Sequence, residues 1–249
     1  MLLPFTEAIS RFEKAHPGMK VKGTYDNAGI LLRMITDKGD RPDLFVSPGS
    51  REVAVLAEAG LIDASSERTL GSYKVVLIVP RENPAQVRSW ADLRKREVKS
   101  IATADPDRNS IGYYARQGLT KLGLWNSIKP KLILTEHAVD AYTLVSQKKV
   151  QAAFSYLTCP MTSNPEKLSA ERVLVVDTLP PDTYEEARVI IATLKGSRNR
   201  ALAKQFTDYL LQPEVQTMLS EKGLPHERAE GGTPSGTPAT APAPSKTGA

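Results

Sequence analysis

The chain has 249 residues, of which 41% are apolar and 24% charged, with one cysteine and a formal net charge of +5. This balance is ordinary for a folded globular protein, and it excludes a wholly disordered chain, a collagen-like repeat and a disulfide-stabilised scaffold. The sequence contains no run of about 18 apolar residues, so it predicts no membrane-spanning helix.

The positive charge does not concentrate in one patch. The densest basic stretch, residues 88–99, is interrupted by Asp92 and Glu97 and has the pattern of a solvated helix face. A nucleic-acid site would need clustered basic residues with interleaved aromatic ones. We therefore expect no nucleic-acid partner.

The first half of the chain alternates between helix-like and strand-like segments. Apolar residues at helical spacing predict helices, and short apolar runs predict strands. Residues 75–79 are continuously apolar, which is typical of a strand that is covered on both faces. The predicted helices are residues 5–15, 28–38 and 52–59, and the predicted strands are residues 20–25, 43–47 and 73–79.

The second half repeats this alternation and ends in a tail of different composition. Residues 225–249 are rich in Pro, Ala, Thr and Gly and carry no apolar residue larger than alanine, so we expect a flexible tail. The predicted strands are residues 100–103, 131–135, 151–156, 173–176 and 188–194, and the predicted helices are residues 110–122, 139–147, 198–211 and 213–222.

Alternating strands and helices predict an α/β fold with mixed, mostly parallel sheets. In such sheets ligands bind at the carboxyl ends of the strands, where loops lead into helix N-termini. The informative segments are therefore the loops that connect a strand to the following helix.

A search for catalytic and metal-binding motifs finds none. The three histidines, His16, His137 and His226, have no metal-ligand spacing among themselves or with Cys159. The sequence also lacks a nucleophile elbow, a phosphate-binding loop and a dinucleotide fingerprint. We therefore expect no enzyme activity, no metal and no cofactor, and Cys159 is interpreted as a buried structural thiol.

Two strand-to-helix junctions have the composition of an anion site. In the first, Asn27 and Ala28 follow a predicted strand and precede an amphipathic helix. In the second, Asn109 or Ser110 is a candidate helix cap, and Gly112 is expected to let a ligand approach the backbone. Free N–H groups at such helix starts bind anions, so the two junctions together predict a cleft held from both sides.

An ordered series of segments resembles the periplasmic molybdate-binding proteins of ABC transporters, which have the type II solute-binding fold. The matching segments run from Met1 to about Leu224, and GLTKLGLW is the most specific of them. They are the helix with FEK (12–14), NAGIL (27–31), RPDLFVS (41–47), VVLIVP (75–80), IGYYA (111–115), GLTKLGLW (118–125), QAAFSY (151–156) and YLLQPE (209–214).

The resemblance implies two lobes joined by two crossing strands, residues 73–80 and 187–194. The first lobe would comprise residues 1–79 and 188–224, and the second residues 80–187. Within the first lobe, the family's ligand contact falls on Ala28, where the family usually has serine. One hydroxyl donor is then lost, and Asn27 or a water molecule is the candidate to replace it.

In the second lobe the resemblance implies three contacts with an oxyanion. They fall on the backbone of Ile111, on Ala138 or Val139, and on the hydroxyl of Tyr156. Ser110 joins this set because it starts the helix of the second junction. The resemblance favours molybdate or tungstate as the ligand. Because one donor is missing at Ala28, a sulfate-like or another small anion stays open.

The function implied is capture of a small oxyanion by lobe closure and its delivery to an ABC transporter permease, by a protein expected to be a monomer. Two alternatives use the same fold. One is the ligand-sensing domain of a transcription regulator, although the sequence shows no helix-turn-helix segment. The other is a transferase, although no acid, base or nucleophile can be assigned.

The resemblance also implies a strand before the first helix, because a lobe of this type opens with a central strand. The printed chain begins directly in the helix at residues 5–15. We therefore expect the coding frame to extend upstream of Met1, with an export signal and a strand that ends in small residues. The protein is then expected in the periplasm or tethered outside the membrane.

Overall fold

The computed structural model of the protein describes residues 2–157 and 172–224. The predicted tail at 225–249 and the interpretation of Cys159 lie outside the described residues. The elements before the middle of the chain are α1 (Leu2–Ala15), α2 (Ala28–Thr36), β1 (Leu44–Ser47), α3 (Ser50–Glu58), β2 (Arg68–Tyr73) and β3 (Val75–Pro80).

The remaining elements agree closely with the predicted ones, except for a short helix at Trp125–Ile128, which the sequence did not predict. Helices begin at capping residues such as Asn27 and Asn109, whose side chains each accept a backbone N–H of the first turn. These elements are β4 (Ile101–Ala104), α4 (Ser110–Lys121), α5 (Trp125–Ile128), β5 (Leu132–Thr135), α6 (Ala138–Ser146), β6 (Ala152–Tyr156), β7 (Val173–Thr178), β8 (Ala187–Thr193), α7 (Arg200–Leu210) and α8 (Pro213–Glu221).

The strand predicted at residues 20–25 is wrong. The structure has irregular backbone there, and most of the segment is exposed. A strand requires a partner edge with which to exchange hydrogen bonds. Among residues 2–157 and 172–224, no strand pairs with this segment, so its β-forming residues do not form a strand.

The strands form two sheets. The first has the order β1-β8-β2, with β8 antiparallel to both neighbours. The second has the order β5-β4-β6-β3-β7, in which β4 is parallel to β5 and β6, whereas β3 is antiparallel to β6 and β7.

The predicted α/β class is therefore correct, but the prediction of mostly parallel strands is wrong. Of the six pairings in the described part of the chain, four are antiparallel. The reason is topological. The chain leaves the first sheet through β2 and returns through β8, and a returning strand runs opposite to its neighbours.

The chain passes between the two sheets in two places. β2 ends at Tyr73 in the first sheet and β3 begins at Val75 in the second, so the chain crosses at Lys74. The boundary expected after Val79 therefore falls inside a strand of the second sheet. The return path lies between β7 and β8, in residues 179–186.

Helices cover both faces of the first sheet. Adjacent β8 residues belong to different core clusters, as expected when side chains alternate between faces. Ile191 packs in one cluster with Phe206 of α7 and Phe12 of α1. Ile190 packs in the other with Leu56 of α3 and Ile35 of α2. The sheet is thus sandwiched between α1, α7 and α8 on one side and α2 and α3 on the other.

Candidate functional site

A cavity of about 910 Å³ opens beside the first sheet and reaches the second. Its two ends differ in chemistry. One end is formed by helix starts and hydroxyl groups, whereas the other is formed mainly by apolar side chains of α1, α2, β1 and α7. The polar end contains most of the residues that the sequence predicts as ligand contacts.

Three helix N-termini converge on the polar end. Asn27 and Ala28 start α2, Ser110 starts α4, and Ala138 starts α6, and all four residues line the cavity. A helix N-terminus carries a partial positive charge and presents N–H groups without intrahelical partners. Three of them facing one volume create a strong preference for an anion.

Two of these helix starts are capped by asparagine side chains. The Asn27 Oδ1 accepts the Gly29 N–H at 2.9 Å, and the Asn109 Oδ1 accepts the Ile111 N–H at 3.1 Å. Within the described residues, the N–H groups of Ala28 and Ser110 make no hydrogen bond. The donors available to a ligand are therefore those of the first helical residues.

The position of Ile111 differs from that of the other predicted contacts. Its side chain is fully buried, it does not line the cavity, and its N–H is already bonded to Asn109. The remaining predicted residues do line a single volume, and they are Asn27, Ala28, Ser110, Ala138, Val139 and Tyr156.

The hydroxyl groups of the polar end come from Ser110 and Tyr156. The Tyr156 Oη lies 3.0 Å from the Ser110 Oγ, and its ring stacks on Tyr73 with centroids 4.5 Å apart. Burial raises the pKa of the Tyr156 phenol well above its ordinary value. The phenol therefore stays protonated at neutral pH and can donate a hydrogen bond to an anion.

The charged residues that line the cavity all lie at its exposed margin. Lys22, Asp26, Asp40 and Arg41 are each largely solvent-accessible. A buried carboxylate, Glu52, lies nearby but accepts a hydrogen bond from the Ser47 hydroxyl at 3.0 Å. A bound oxyanion would thus be held by neutral N–H and O–H donors and not by a buried cation.

Two hydrogen bonds near the cavity join segments that are far apart in the chain. The Asn27 Nδ2 donates to the Glu136 carbonyl at 3.0 Å, and the Ser50 N–H donates to the Tyr114 hydroxyl at 3.2 Å. Sequence reasoning missed both contacts. Gly49 was the available signal, because a Cβ there would lie 3.0 Å from the Tyr114 hydroxyl.

The expected role of Gly112 in ligand approach is wrong. A Cβ at this position would lie 2.1 Å from the Ala104 carbonyl oxygen and 2.9 Å from the Pro106 nitrogen. Gly112 is therefore needed for α4 to pack against the end of β4. It faces the protein interior and does not line the cavity.

The described residues contain no group of three or more histidine, cysteine, aspartate or glutamate side chains that could hold a metal ion. The site is one of hydrogen-bond donors at helix starts. Its chemistry suits reversible binding of an anion.

The comparison with protein families agrees with this chemistry. Residues 1–224 match the family described as bacterial extracellular solute-binding protein. The chain belongs to this family. It is 26% identical over 217 residues to the molybdate-binding protein ModA of Escherichia coli, covering 85% of this chain and 80% of that protein.

Solved structures of solute-binding proteins share the fold. The periplasmic molybdate-binding protein of Azotobacter vinelandii superimposes with a TM-score of 0.73 at 19% identity, covering 89% of this chain and 94% of that one. The sulfate-binding protein SubI of Mycobacterium tuberculosis gives a TM-score of 0.72 at 17% identity, covering 88% and 81%. The type II solute-binding fold predicted from the sequence is thereby confirmed.

Proposed function

We propose that this solute-binding protein captures a small tetrahedral oxyanion at the polar end of the cavity and delivers it to an ABC transporter permease. The observation that carries the proposal is the convergence of the α2, α4 and α6 N-termini with the hydroxyls of Ser110 and Tyr156. Each of these groups donates hydrogen bonds, and a dianion with four oxygens can accept from all of them.

The proposed contacts come from both sides of the cavity. Ala28 contributes its N–H from α2, with Asn27 beside it. Ser110 contributes an N–H and a hydroxyl, Tyr156 contributes a hydroxyl, and the α6 start at Ala138 and Val139 completes the set. Because these groups belong to both sheets, a bound anion would tie the two parts of the molecule together, which is the basis of capture by closure.

Molybdate and tungstate are the favoured ligands, and a sulfate-like anion is the next candidate. The support is the neutral, donor-rich site together with the similarity to ModA and to the molybdate-binding protein of Azotobacter vinelandii. The similarity to SubI supports the sulfate-like alternative. All three anions share the tetrahedral geometry and charge that the helix starts recognise.

The relatives are transport proteins rather than enzymes, and the cavity has the groups for binding without an assigned nucleophile. We propose that the protein acts as a monomer outside the cytoplasm, in the periplasm or tethered to the membrane. In the part of the chain that the structure describes, no helix has the length and apolar character to cross a bilayer.

A thermal-shift screen tests the ligand class. A ligand present at a hundredfold excess over its Kd stabilises the folded state by about 2.7 kcal/mol. For a chain of this size that corresponds to a rise in melting temperature of roughly 5–10 °C. We expect this rise with molybdate or tungstate, and 1:1 stoichiometry by isothermal titration calorimetry.

Phosphate and amino acids serve as controls in the same screen. If molybdate, tungstate, sulfate and thiosulfate all leave the melting temperature unchanged, the proposal of an oxyanion ligand fails. A response to amino acids alone would assign the protein to another ligand class of the same fold.

A further inference from the structure

The turn between β1 and α3 joins the two sheets beside the polar end of the cavity. It belongs to the first sheet, because β1 is a strand of that sheet and α3 packs on β8. The Ser50 N–H donates to the Tyr114 hydroxyl of α4 at 3.2 Å. The Pro48 carbonyl oxygen lies 3.5 Å from the Tyr156 hydroxyl of β6. Since α4 and β6 belong to the second sheet, the turn bridges the two sheets.

Arg51 extends this bridge beyond the turn. Its guanidinium carbon lies 5.5 Å from the centre of the Tyr113 ring, and its Nη1 donates to the Pro106 carbonyl at 3.4 Å. A cation over an aromatic face is attracted by the ring quadrupole, also at an exposed site such as this one. Arg51 does not line the cavity, so it makes no direct contact with a ligand there.

The Tyr113 ring is also fixed to the segment that returns from the second sheet to the first. Its hydroxyl donates to the Glu185 carboxylate at 3.4 Å, and the Gln117 Nε2 donates to the same carboxylate at 3.0 Å. The Glu185 N–H donates in turn to the Gln117 Oε1 at 2.9 Å. Residues 179–186 must bend if one sheet rotates relative to the other, so Arg51 stacks on a ring that is fixed beside a hinge.

We propose that residues 48–51, which we call the clasp, hold the two sheets together around the anion site, and that Arg51 is a positioning residue that sets the anion affinity. A protein that binds its ligand only when closed has an apparent Kd equal to the intrinsic Kd divided by the closed fraction. Loosening the clasp lowers this fraction, so it weakens binding without removing a ligand contact. The effect on anion affinity rests on the proposed function, whereas the holding of the sheets does not.

The clasp also contacts the hydroxyl pair at the polar end. The Tyr156 hydroxyl lies 3.0 Å from the Ser110 Oγ and 3.5 Å from the Pro48 carbonyl oxygen. A Cβ at Gly49 would lie 3.1 Å from the Ser110 Cβ, so the turn approaches this pair closely. Separation of the clasp from α4 admits water to Ser110 and Tyr156, which are both buried in the closed arrangement. Opening of the clasp is therefore the step that lets a bound anion leave.

Small-angle X-ray scattering of the full chain without ligand tests the clasp directly. Tyr113→Leu removes the ring under Arg51, and we expect the radius of gyration to rise as the closed fraction falls. Tyr113→Phe is the matched control, because it keeps the ring and should keep the radius of gyration of the unmodified chain. Arg51→Gln should act like Tyr113→Leu, and this exposed substitution gives an answer even if Tyr113→Leu fails to fold.

Calorimetric titration with molybdate measures the effect on affinity. A cation–π contact at an exposed site corresponds to about a two- to fivefold change in an equilibrium constant. We expect Arg51→Gln and Tyr113→Leu each to raise the Kd by about this factor, with faster exchange of bound molybdate. Arg68→Gln is the control for the lost positive charge, since its guanidinium donates to the carbonyls of Ser65 and Glu67 in its own segment. This control should change neither the Kd nor the radius of gyration.

Several outcomes would overturn the clasp. One is an unchanged radius of gyration in both Arg51→Gln and Tyr113→Leu, and another is an equal rise in Tyr113→Phe and Tyr113→Leu. A loss of affinity in Arg68→Gln equal to that in Arg51→Gln would show an effect of net charge alone. A rise in the radius of gyration without a change in the molybdate Kd would contradict the role of Arg51 in affinity. If the unmodified chain binds no oxyanion, the proposed function fails, and the scattering still decides whether the clasp holds the sheets.

Discussion

The hydroxyl groups of Ser110 and Tyr156 lie 3.0 Å apart at the point where the α4 N-terminus meets the end of β6. One residue belongs to a helix start and the other to a strand end, so the pair is created by the packing of α4 on the second sheet. Both side chains are more than nine-tenths buried. The Tyr156 hydroxyl donates to the Ser110 oxygen, so the pair presents the Ser110 proton to the cavity, and also the Tyr156 proton once an anion replaces this bond, without adding charge.

Replacing Tyr156→Phe should weaken anion binding without unfolding the protein. A hydrogen bond to a charged group contributes about 1.5–3 kcal/mol, so the Kd should rise roughly ten- to a hundredfold. The ring and its stacking on Tyr73 are kept, so the free energy of unfolding of the empty protein should fall by about 1 kcal/mol or less. Calorimetric titration with molybdate and denaturant unfolding measure the two quantities.

Tyr184→Phe is the matched control for this variant. The Tyr184 hydroxyl accepts the Val75 N–H at 3.2 Å and does not line the cavity. Its loss should lower stability and leave anion affinity unchanged. A Tyr156→Phe protein that is much less stable but binds normally would show that Tyr156 serves packing alone.

Replacing Ala28→Ser should tighten binding. Ala28 lines the polar end beside a free N–H, so a serine hydroxyl there adds a donor at the start of α2. We expect up to about a tenfold decrease in the molybdate Kd, equivalent to about 1.4 kcal/mol. Ala28→Val, which adds bulk without a donor, is the control and should weaken binding. Equal effects of serine and valine would contradict the placement of the anion at this helix start.

Much of the fold follows from local sequence signals. Val75–Pro80 is completely buried, as its continuous apolar run predicts. Asn27 and Asn109 cap α2 and α4 because their side chains reach the first-turn N–H groups. Such features depend on residues close together in the chain, so a single sequence reveals them.

The remaining features depend on residues far apart in the chain. Residues 20–25 have strand-like composition, but pairing requires a neighbouring edge that composition cannot reveal. The contact of Asn27 with the Glu136 carbonyl joins the first junction to the segment before α6, which lies more than a hundred residues further along the chain. The direction of β8 between β1 and β2 likewise follows from the path of the chain.

The stability contributed by Asp92 should depend on pH. The Lys95 ammonium lies 2.9 Å from one Asp92 carboxylate oxygen, and the backbone N–H of Arg88 donates to the other at 2.7 Å. Both contacts hold the pKa of Asp92 below its ordinary value. A carboxyl whose folded-state pKa is lowered stabilises the protein above the unfolded pKa of about 3.9 and loses this effect as pH falls through the lower value. Asp92→Asn should therefore destabilise the protein at pH 7, and the difference should shrink below pH 4.

Urea unfolding of the two proteins at a series of pH values measures this difference. Lys204→Met is the control, since its partner Asp208 lies on an exposed helix face. An Asp92→Asn penalty that stays constant down to pH 2.5 would show that the carboxylate charge does not contribute.

Replacing Gly112→Ala should destabilise the protein, opposite to the usual effect of this substitution in a helix. Alanine is ordinarily about 1 kcal/mol more favourable than glycine inside a helix. Here the new Cβ would lie 2.1 Å from the Ala104 carbonyl oxygen, so α4 must move away from β4. Overpacking of this kind costs about 1–3 kcal/mol or more. Thr120→Ala, on the exposed side of α4, is the control for introducing alanine into this helix. If the Gly112→Ala protein is as stable as the unmodified one, the close packing of α4 against β4 is contradicted.

Replacing Asn27→Asp should separate the capping of α2 from the binding of the anion. Its Oδ1 caps α2 through the Gly29 N–H, and its Nδ2 donates to the Glu136 carbonyl across the cavity. Asn27→Asp keeps the capping acceptor and places a negative charge at the helix N-terminus, which is favourable for the helix itself. The same charge repels a bound dianion, and the carboxylate cannot donate to Glu136.

We therefore expect the free energy of unfolding to change by less than about 1 kcal/mol. The molybdate Kd should rise at least tenfold, and it should rise more at low ionic strength because the repulsion is then less screened. Asn27→Ser, which keeps a neutral cap, should lose much less affinity. If the aspartate variant binds molybdate as tightly as the unmodified protein at every salt concentration, the anion does not lie at the α2 N-terminus.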